Sequence, residues 1–244
     1  MNKELNFRNV HKIMEKDVIF NIFTRLLPPY GLRLLRKVSK NRKNITGQTR
    51  NFLDLGCGNS SPNKFQIIFK KSMKYFGVDR EEYNMRKFDK EEMNYFIIDL
   101  EQTKLKSVFT DVKFGMINFS HVIEHLDNGK DVIKQLRELQ PAGGLLYIET
   151  PSEESVYFHH KNVKGTLNFY DDMTHKKVYP LGDIVSVLTS CDYKILKCGK
   201  RRDIRRILFY LFPDMIFSLL KIPVDGTMLW DIKGFANFVL CKAV

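Results

Sequence analysis

Phe52-Leu53-Asp54-Leu55-Gly56-Cys57-Gly58-Asn59 is an apolar run that ends in a Gly-x-Gly turn. Glycine lets the backbone bend sharply and approach a ligand, and the N–H groups that open a following helix can meet a carboxylate or phosphate. Twenty-three residues beyond Gly56, Phe76-Gly77-Val78-Asp79 ends in an acid. Rossmann-like folds hydrogen-bond a ribose diol from that position, so the pair points to a nucleoside-containing cofactor. Ser61 occupies the third glycine position of G-x-G-x-x-G, and the turn alone does not separate a dinucleotide from S-adenosylmethionine (SAM).

A second constellation follows the apolar run Gly115–Phe119: Ser120, His121, Glu124 and His125, with His175 in the later Asp171-Asp172-Met173-Thr174-His175. His121, Glu124 and His125 have the spacing of one helical face, and with His175 they could ligate a divalent metal. The same side chains suit proton transfer, because imidazole is the ordinary base near neutral pH. A structural alternative leaves Glu124 and His125 hydrogen-bonded to neighbouring loops. We assign His125, His175 and Glu124 as a metal-free acid/base set.

The elements that must position these groups alternate between strand and helix. Seven strands are expected, at Asn51–Leu55, Tyr75–Val78, Tyr95–Ile98, Gly115–Phe119, Leu145–Thr150, Tyr193–Cys198 and Asn237–Lys242, with helices near 62–72, 129–139 and 181–190. Short apolar runs alternating with helical stretches are the mark of βαβ units and a parallel sheet. Residues 1–46 read as a helical extension, with helices near 8–26 and 31–40 broken at Pro28-Pro29. The domain proper spans 47–244, and 199–236 forms a lid-like insertion.

At 244 residues, 43% hydrophobic and 28% charged, the chain can bury one sizeable core and is neither collagen-like nor wholly disordered. Its net charge of +12 is uneven: residues 1–50 hold 12 Lys/Arg against 3 Asp/Glu, and residues 194–206 hold 7 against 1. Such basic segments attract nucleic acid, anionic lipid or a polyanionic substrate. Arg33, Arg36, Lys37, Lys40, Arg42 and Lys43 share the first segment. In the second, Lys200-Arg201-Arg202-Asp203-Ile204-Arg205-Arg206 leads into the apolar stretch Ile207–Ile222, where Leu208, Phe212, Ile216 and Leu219 suit lid packing or a membrane interface. The four cysteines have no zinc spacing and read as free thiols. The charged Met1-Asn2-Lys3-Glu4-Leu5 and the lack of a run of ~18 apolar residues point to a cytoplasmic protein, peripheral at most to the inner face of a membrane.

Over residues 48–200 the chain resembles the class I SAM-dependent methyltransferases with a D-L-G-C-G first motif. Val78-Asp79-Arg80 matches the family's ribose-binding acid, Ile98-Asp99-Leu100 its adenine-recognising motif, Phe119–Leu126 its loop after the fourth strand, and Leu139–Leu146 its fifth motif. Asn59-Ser60-Ser61 replaces the usual extra glycine. The resemblance implies an α/β, Rossmann-like sheet of seven strands with helices on both faces and an antiparallel last strand beside the sixth. It implies SAM held by Asp54, Gly56, Cys57, Gly58, Asp79, Arg80, Asp99, Leu100, Ser120 and His121. The second constellation is similar to the Glu-x-x-Glu-His plus distant His pattern of metal-dependent small-RNA 3′-end methyltransferases and some ubiquinone-pathway O-methyltransferases, with His121 in place of the first glutamate. The expected activity is methylation of an oxygen on a small carbohydrate or lipid-linked acceptor. The alternatives are an RNA methyltransferase using the basic appendages and a non-catalytic SAM-fold binding protein. His159 and His160, with Tyr157, Phe158, Phe169 and Tyr170, fall where this family often covers its acceptor pocket.

Overall fold

A computed structural model describes residues 29–40, 50–69, 72–82, 93–158, 163–164, 168–205, 207–208 and 224–244. The helix expected over 8–26, the cations Arg42, Lys43 and Arg206, the pair His159-His160, and Phe212, Ile216 and Leu219 lie outside the described residues.

All seven expected strands are present, with ends moved by no more than two residues: β1 (Asn51–Leu55), β2 (Lys74–Asp79), β3 (Met93–Ile97), β4 (Met116–Ser120), β5 (Leu145–Pro151), β6 (Tyr193–Lys200) and β7 (Ala236–Ala243). They form one sheet in the order β3-β2-β1-β4-β5-β7-β6. The first five are parallel, and β7 runs antiparallel between β5 and β6. The helices are α1 (Tyr30–Lys40), α2 (Ser61–Phe69), α3 (Leu105–Val108), α4 (Gly129–Glu138), α5 (Leu181–Ser190) and α6 (Gly226–Lys233). α6 falls inside the insertion, where no helix was expected at that place.

Side chains alternate across a strand, and a central parallel strand is buried on both faces, so β1 feeds two cores. Phe52 joins Phe65 and Phe69 of α2, Tyr75, and Leu32 and Leu35 of α1 on one face. Leu53 and Leu55 join Ile133 and Leu136 of α4 and Ile184 and Leu188 of α5 on the other. Burying each such side chain contributes about 1.5–3 kcal/mol. α1 lies close on the sheet: a Cβ on Gly31 would stand 2.3 Å from the Tyr147 ring, so only glycine permits this approach.

The chain order leaves β1 outward to β2 and β3 on one side and to β4 on the other. Ligands of open α/β sheets bind beyond the carboxyl ends of the strands at such a reversal. The residues after β1, β2, β3 and β4 meet there.

Candidate functional site

The turn after β1 is built by positive φ. Gly56 (+64°) and Gly58 (+51°) lie in the left-handed region that L side chains avoid. The Gly56 and Cys57 amides both donate to the Val78 carbonyl, at 2.8 and 3.1 Å, which lays the turn across the end of β2. There the Gly58 amide donates to Asp79 Oδ2 at 2.8 Å. A Cβ on Gly56 would meet Val122 Cγ2 at 2.2 Å, whereas one on Gly58 would meet nothing within 4 Å. The chain is thus packed against Gly56 and open above Gly58.

Asp54 shapes this turn from within. Only 1% exposed, its carboxylate accepts Ser61 Oγ at 2.5 Å, Tyr75 Oη at 2.8 Å and Asn118 Nδ2 at 2.8 Å. Burial raises its pKa, with the three hydrogen bonds opposing the rise. Asp54 therefore ties β1 to β2, β4 and the first turn of α2, and its side chain, expected at the cofactor, faces the interior. Cys57 is likewise buried, and burial together with Asp54 and Asp79 pushes its thiol up. Arg80 is exposed beside Glu81. Beyond β3, Asp99 Oδ1 accepts the Glu101 amide at 2.8 Å, and Leu100 is buried.

The loop after β4 joins these parts. Ser120 Oγ donates to Asn118 at 3.0 Å. Val122 rests on Gly56, while the Asp127 amide donates to Glu101 at 2.9 Å and the Asn128 amide group to the Leu100 carbonyl at 3.3 Å. Helical spacing of His121 with Glu124 and His125 is corrected here. The backbone turns at His121 with φ +54°, and only Ile123–His125 form a single 3-10 turn.

His121 consequently points elsewhere. Its Nδ1 is 3.2 Å from Glu124 Oε1 and its Nε2 3.0 Å from Glu149 Oε1. Desolvation works against the charged ring, but the two carboxylates outweigh it and push its pKa up to about 10, although the side chain is 42% exposed. As an imidazolium it has no lone pair for a metal and no capacity as a base near neutral pH. Its ring nitrogens are both engaged, and its amide donates to the Glu149 carbonyl at 2.8 Å.

Glu149 anchors a buried charge network absent from the sequence-based site. Burial alone would raise its pKa, yet Arg201, the His121 ring and the Tyr147 hydroxyl bring it down to about 2. Arg201 Nη1 donates to Glu149 at 2.8 Å, and its Nε lies 3.0 Å from Asp231 of α6. Asp203 pairs with Arg33 of α1 at 3.1 Å. Arg201, expected on an exposed cationic surface, is only 8% exposed, and Asp203 2%. A lone acid inside the apolar run Leu145–Thr150 was the available signal, since a buried carboxylate must be paired.

The remaining three residues do converge. One ligand atom from each of Glu124, His125 and His175 lies within 4.8 Å of the others. Glu124 is fully buried, and its Oε2 accepts Thr150 Oγ1 at 3.1 Å. Its carbonyl receives the Lys176 and Lys177 amides, at 2.9 and 3.1 Å, which brings His175 alongside. The two imidazole rings stand 4.8 Å apart, and Phe169 lies 4.6 Å from His175. Of the other aromatic candidates, Phe158 packs on Phe235, while Tyr157 and Tyr170 are 81% and 67% exposed.

A family model described as a methyltransferase domain matches residues 23–197. No curated protein matches by sequence. Among solved structures, the plantazolicin methyltransferase BpumL, in complex with S-adenosylhomocysteine, is 18% identical with a TM-score of 0.57, covering 98% of this chain and 92% of that one. A SAM-dependent methyltransferase from Archaeoglobus fulgidus is 20% identical (TM-score 0.51, covering 92% and 99%). A complex between the Haloferax volcanii Trm112 methyltransferase activator and a methyltransferase matches at 14% identity (TM-score 0.59, covering 80% and 83%). At these identities the structures establish a common fold.

Proposed function

The chain belongs to the methyltransferase domain family and is a SAM-dependent enzyme, and from that premise we propose that it methylates an oxygen of a small saccharide or lipid-linked acceptor brought to Glu124, His125 and His175. The open space above Gly58 fits a bound cofactor, with the half-buried Asp79 at its edge. In this reading the Gly56–Gly58 turn, Asp79, Asp99, the Leu100 amide and the Ser120–His121 backbone hold SAM. Asp54 and Cys57 shape the turn, and Arg80 flanks it.

When bound, SAM supplies a methyl on a sulfonium: the acceptor oxygen forms the new C–O bond, the C–S bond breaks with its electron pair left on sulfur, and the hydroxyl proton leaves. This chain's task is to align the hydroxyl and relieve it of that proton. The observation that carries the reading is the Glu124–His125–His175 cluster, joined through Val122 to the cofactor turn. Ile204 and Leu208, 66% and 63% exposed just past Arg201, offer apolar surface to a lipid-linked acceptor or a membrane face. Among the described residues no helix is long and apolar enough to cross a membrane. The RNA alternative loses two of its cations, because Arg33 and Arg201 are engaged by Asp203 and Glu149.

Titration of SAM into the full chain should give saturable binding that Asp79→Ala weakens by tenfold or more, about 1.4 kcal/mol. Radiolabelled methyl from SAM should enter the lipid or saccharide fraction of a cell extract. Label in RNA would refute the acceptor class, and absence of SAM binding would refute the cofactor site.

A further inference from the structure

We propose that Trp230, the single tryptophan of the chain, is a specificity-determining residue for the acceptor and forms the wall on which the apolar face of a pyranose ring stacks. The inference rests on the acceptor class proposed above and deepens it: the site grips the sugar itself rather than a lipid attached to it.

The indole is held in place by its own backbone and by its neighbour in sequence. Gly234, at φ +70°, ends α6, and the Gly234 and Phe235 amides both donate to the Trp230 carbonyl, at 2.9 and 3.0 Å. Asp231 is fully buried and lies 3.0 Å from Arg201 Nε, while the Arg201 amide donates to the Ala236 carbonyl at 2.6 Å. Ala236 in turn pairs with Pro151, the last residue of β5. The end of α6 is thereby fastened to the carboxyl end of the sheet, where the candidate site lies.

From there the indole reaches the site. Its ring centroid stands 6.0 Å from that of His121, with the two planes 79° apart. His121 lies 3.2 Å from Glu124 and leaves 42% of its side chain exposed, so the surface beside the two rings is open next to the acid/base set. Phe235 stands 6.1 Å from the indole on another side, and Phe158 backs Phe235 at 5.0 Å. Trp230 is nevertheless only half-buried. Tryptophan is highly buried on average, and one left half open on a fixed element beside a polar cluster has the properties of a binding anchor.

A pyranose suits both parts of this surface. Its C–H groups lie on the faces of the ring and match the electron-rich face of an indole, while its hydroxyls project around the rim. Polar groups await the rim here: the positive His121 ring, then Glu124, His125 and His175. An acyl chain would gain nothing from those neighbours, and a phenol offers one hydroxyl where several partners stand. An indole has two torsions to fix, so ordering it costs little. Stacking also decides which edge of the sugar faces the acid/base set, and hence which hydroxyl is methylated.

With one tryptophan in the chain, intrinsic fluorescence reports this wall alone. The full chain, with and without S-adenosylhomocysteine, is titrated with the methyl pyranosides of the common hexoses and 6-deoxyhexoses, and with p-cresol as the rival flat ring. At least one glycoside should shift the emission saturably, and p-cresol should bind at least tenfold more weakly. By calorimetry, Trp230→Ala should weaken that glycoside by tenfold or more and Trp230→Tyr should recover most of the loss, with S-adenosylhomocysteine affinity unchanged in both. An octyl glycoside binding tenfold more tightly than the methyl glycoside assigns a lipid-linked sugar, and equal binding a soluble one. No response to any glycoside, tighter binding of p-cresol, or glycoside binding unchanged in Trp230→Ala would overturn the wall. Radiolabelled methyl entering saccharide while the tryptophan stays silent overturns the wall and spares the acceptor class, whereas label in RNA overturns the class itself.

Discussion

Replacing Arg201 by methionine tests whether the buried charge network is part of the fold. Arg201 is 8% exposed and faces Glu149, 4% exposed, and Asp231, fully buried. Methionine keeps most of the side-chain volume but strands two carboxylates in a region water does not reach. Removing one partner of a buried pair costs about 3–5 kcal/mol, because the charge left behind is uncompensated. His121 still neutralises part of Glu149, which places the expectation near the lower end, about 3 kcal/mol. For a chain of 244 residues that is a fall in Tm of roughly 6–12 °C. Urea denaturation and thermal unfolding measure it. Arg202→Met, at the exposed neighbouring position, is the control and should change stability by less than about 0.5 kcal/mol. In a double-mutant cycle with Glu149→Gln the combined loss should fall short of the sum by at least about 1 kcal/mol. If Arg201→Met unfolds like Arg202→Met, or the cycle is additive, the network contributes nothing and Arg201 belongs to a cationic surface after all.

Two further outcomes follow from the same geometry. Gly56→Ala combines a positive φ with a Cβ 2.2 Å from Val122, so it should abolish SAM binding or folding; Gly58→Ala meets only the φ penalty, about 1–2 kcal/mol, and should leave a folded chain, as circular dichroism and SAM titration will show. Stability should also depend on pH in two limbs. Glu149, brought down from an ordinary 4.5 to about 2, contributes stability present above pH 4.5 and lost as pH falls toward 2, while His121, raised from 6.5 to about 10, contributes fully below pH 6.5 and loses it as pH rises to 10. His121→Asn, which removes the titrating ring but tolerates the left-handed backbone, should abolish that slope, so the gap between wild type and variant narrows as pH rises from 7 to 10; wild-type and variant curves that stay parallel there would sink the assignment.

The sheet was legible because its signals are local. β1 through β5 are mostly apolar segments of five to seven residues and β6 and β7 strands of eight, so each strand announces itself without reference to the others. The cofactor turn was legible for the same reason: glycine at two positions of positive φ, followed at fixed distance by Asp79, is a pattern within two adjacent elements. Two kinds of feature escaped. One was side-chain direction where the backbone departs from a regular period: His121, Glu124 and His125 have helical spacing, but a left-handed φ at His121 breaks the helix before it begins and turns that ring toward Glu149. The other was burial of charge. Arg201 stands among cations in sequence, yet its partners Glu149 and Asp231 lie 52 and 30 positions away, and nothing in a charge count distinguishes it from Arg202.

The two missed features are one device. Glu149 sits in β5 opposite Ser120 of β4, so a carboxylate at that register reaches the ring at position 121 directly after the strand. His121 then fixes Glu124 from one side while Thr150, the next residue of β5, fixes it from the other. On its opposite flank Glu149 holds Arg201, which holds Asp231 of α6, and the Asp203 amide donates to Asp231 in turn at 3.3 Å. A chain of charges thus runs from the insertion, through the centre of the sheet, to the carboxylate of the candidate site. A buried ion pair with an apolar substitute of equal volume would often be the more stable choice. The charges are explained better by what they position: the fully buried Glu124 carboxylate, held between His121 and Thr150 beside His125 and His175.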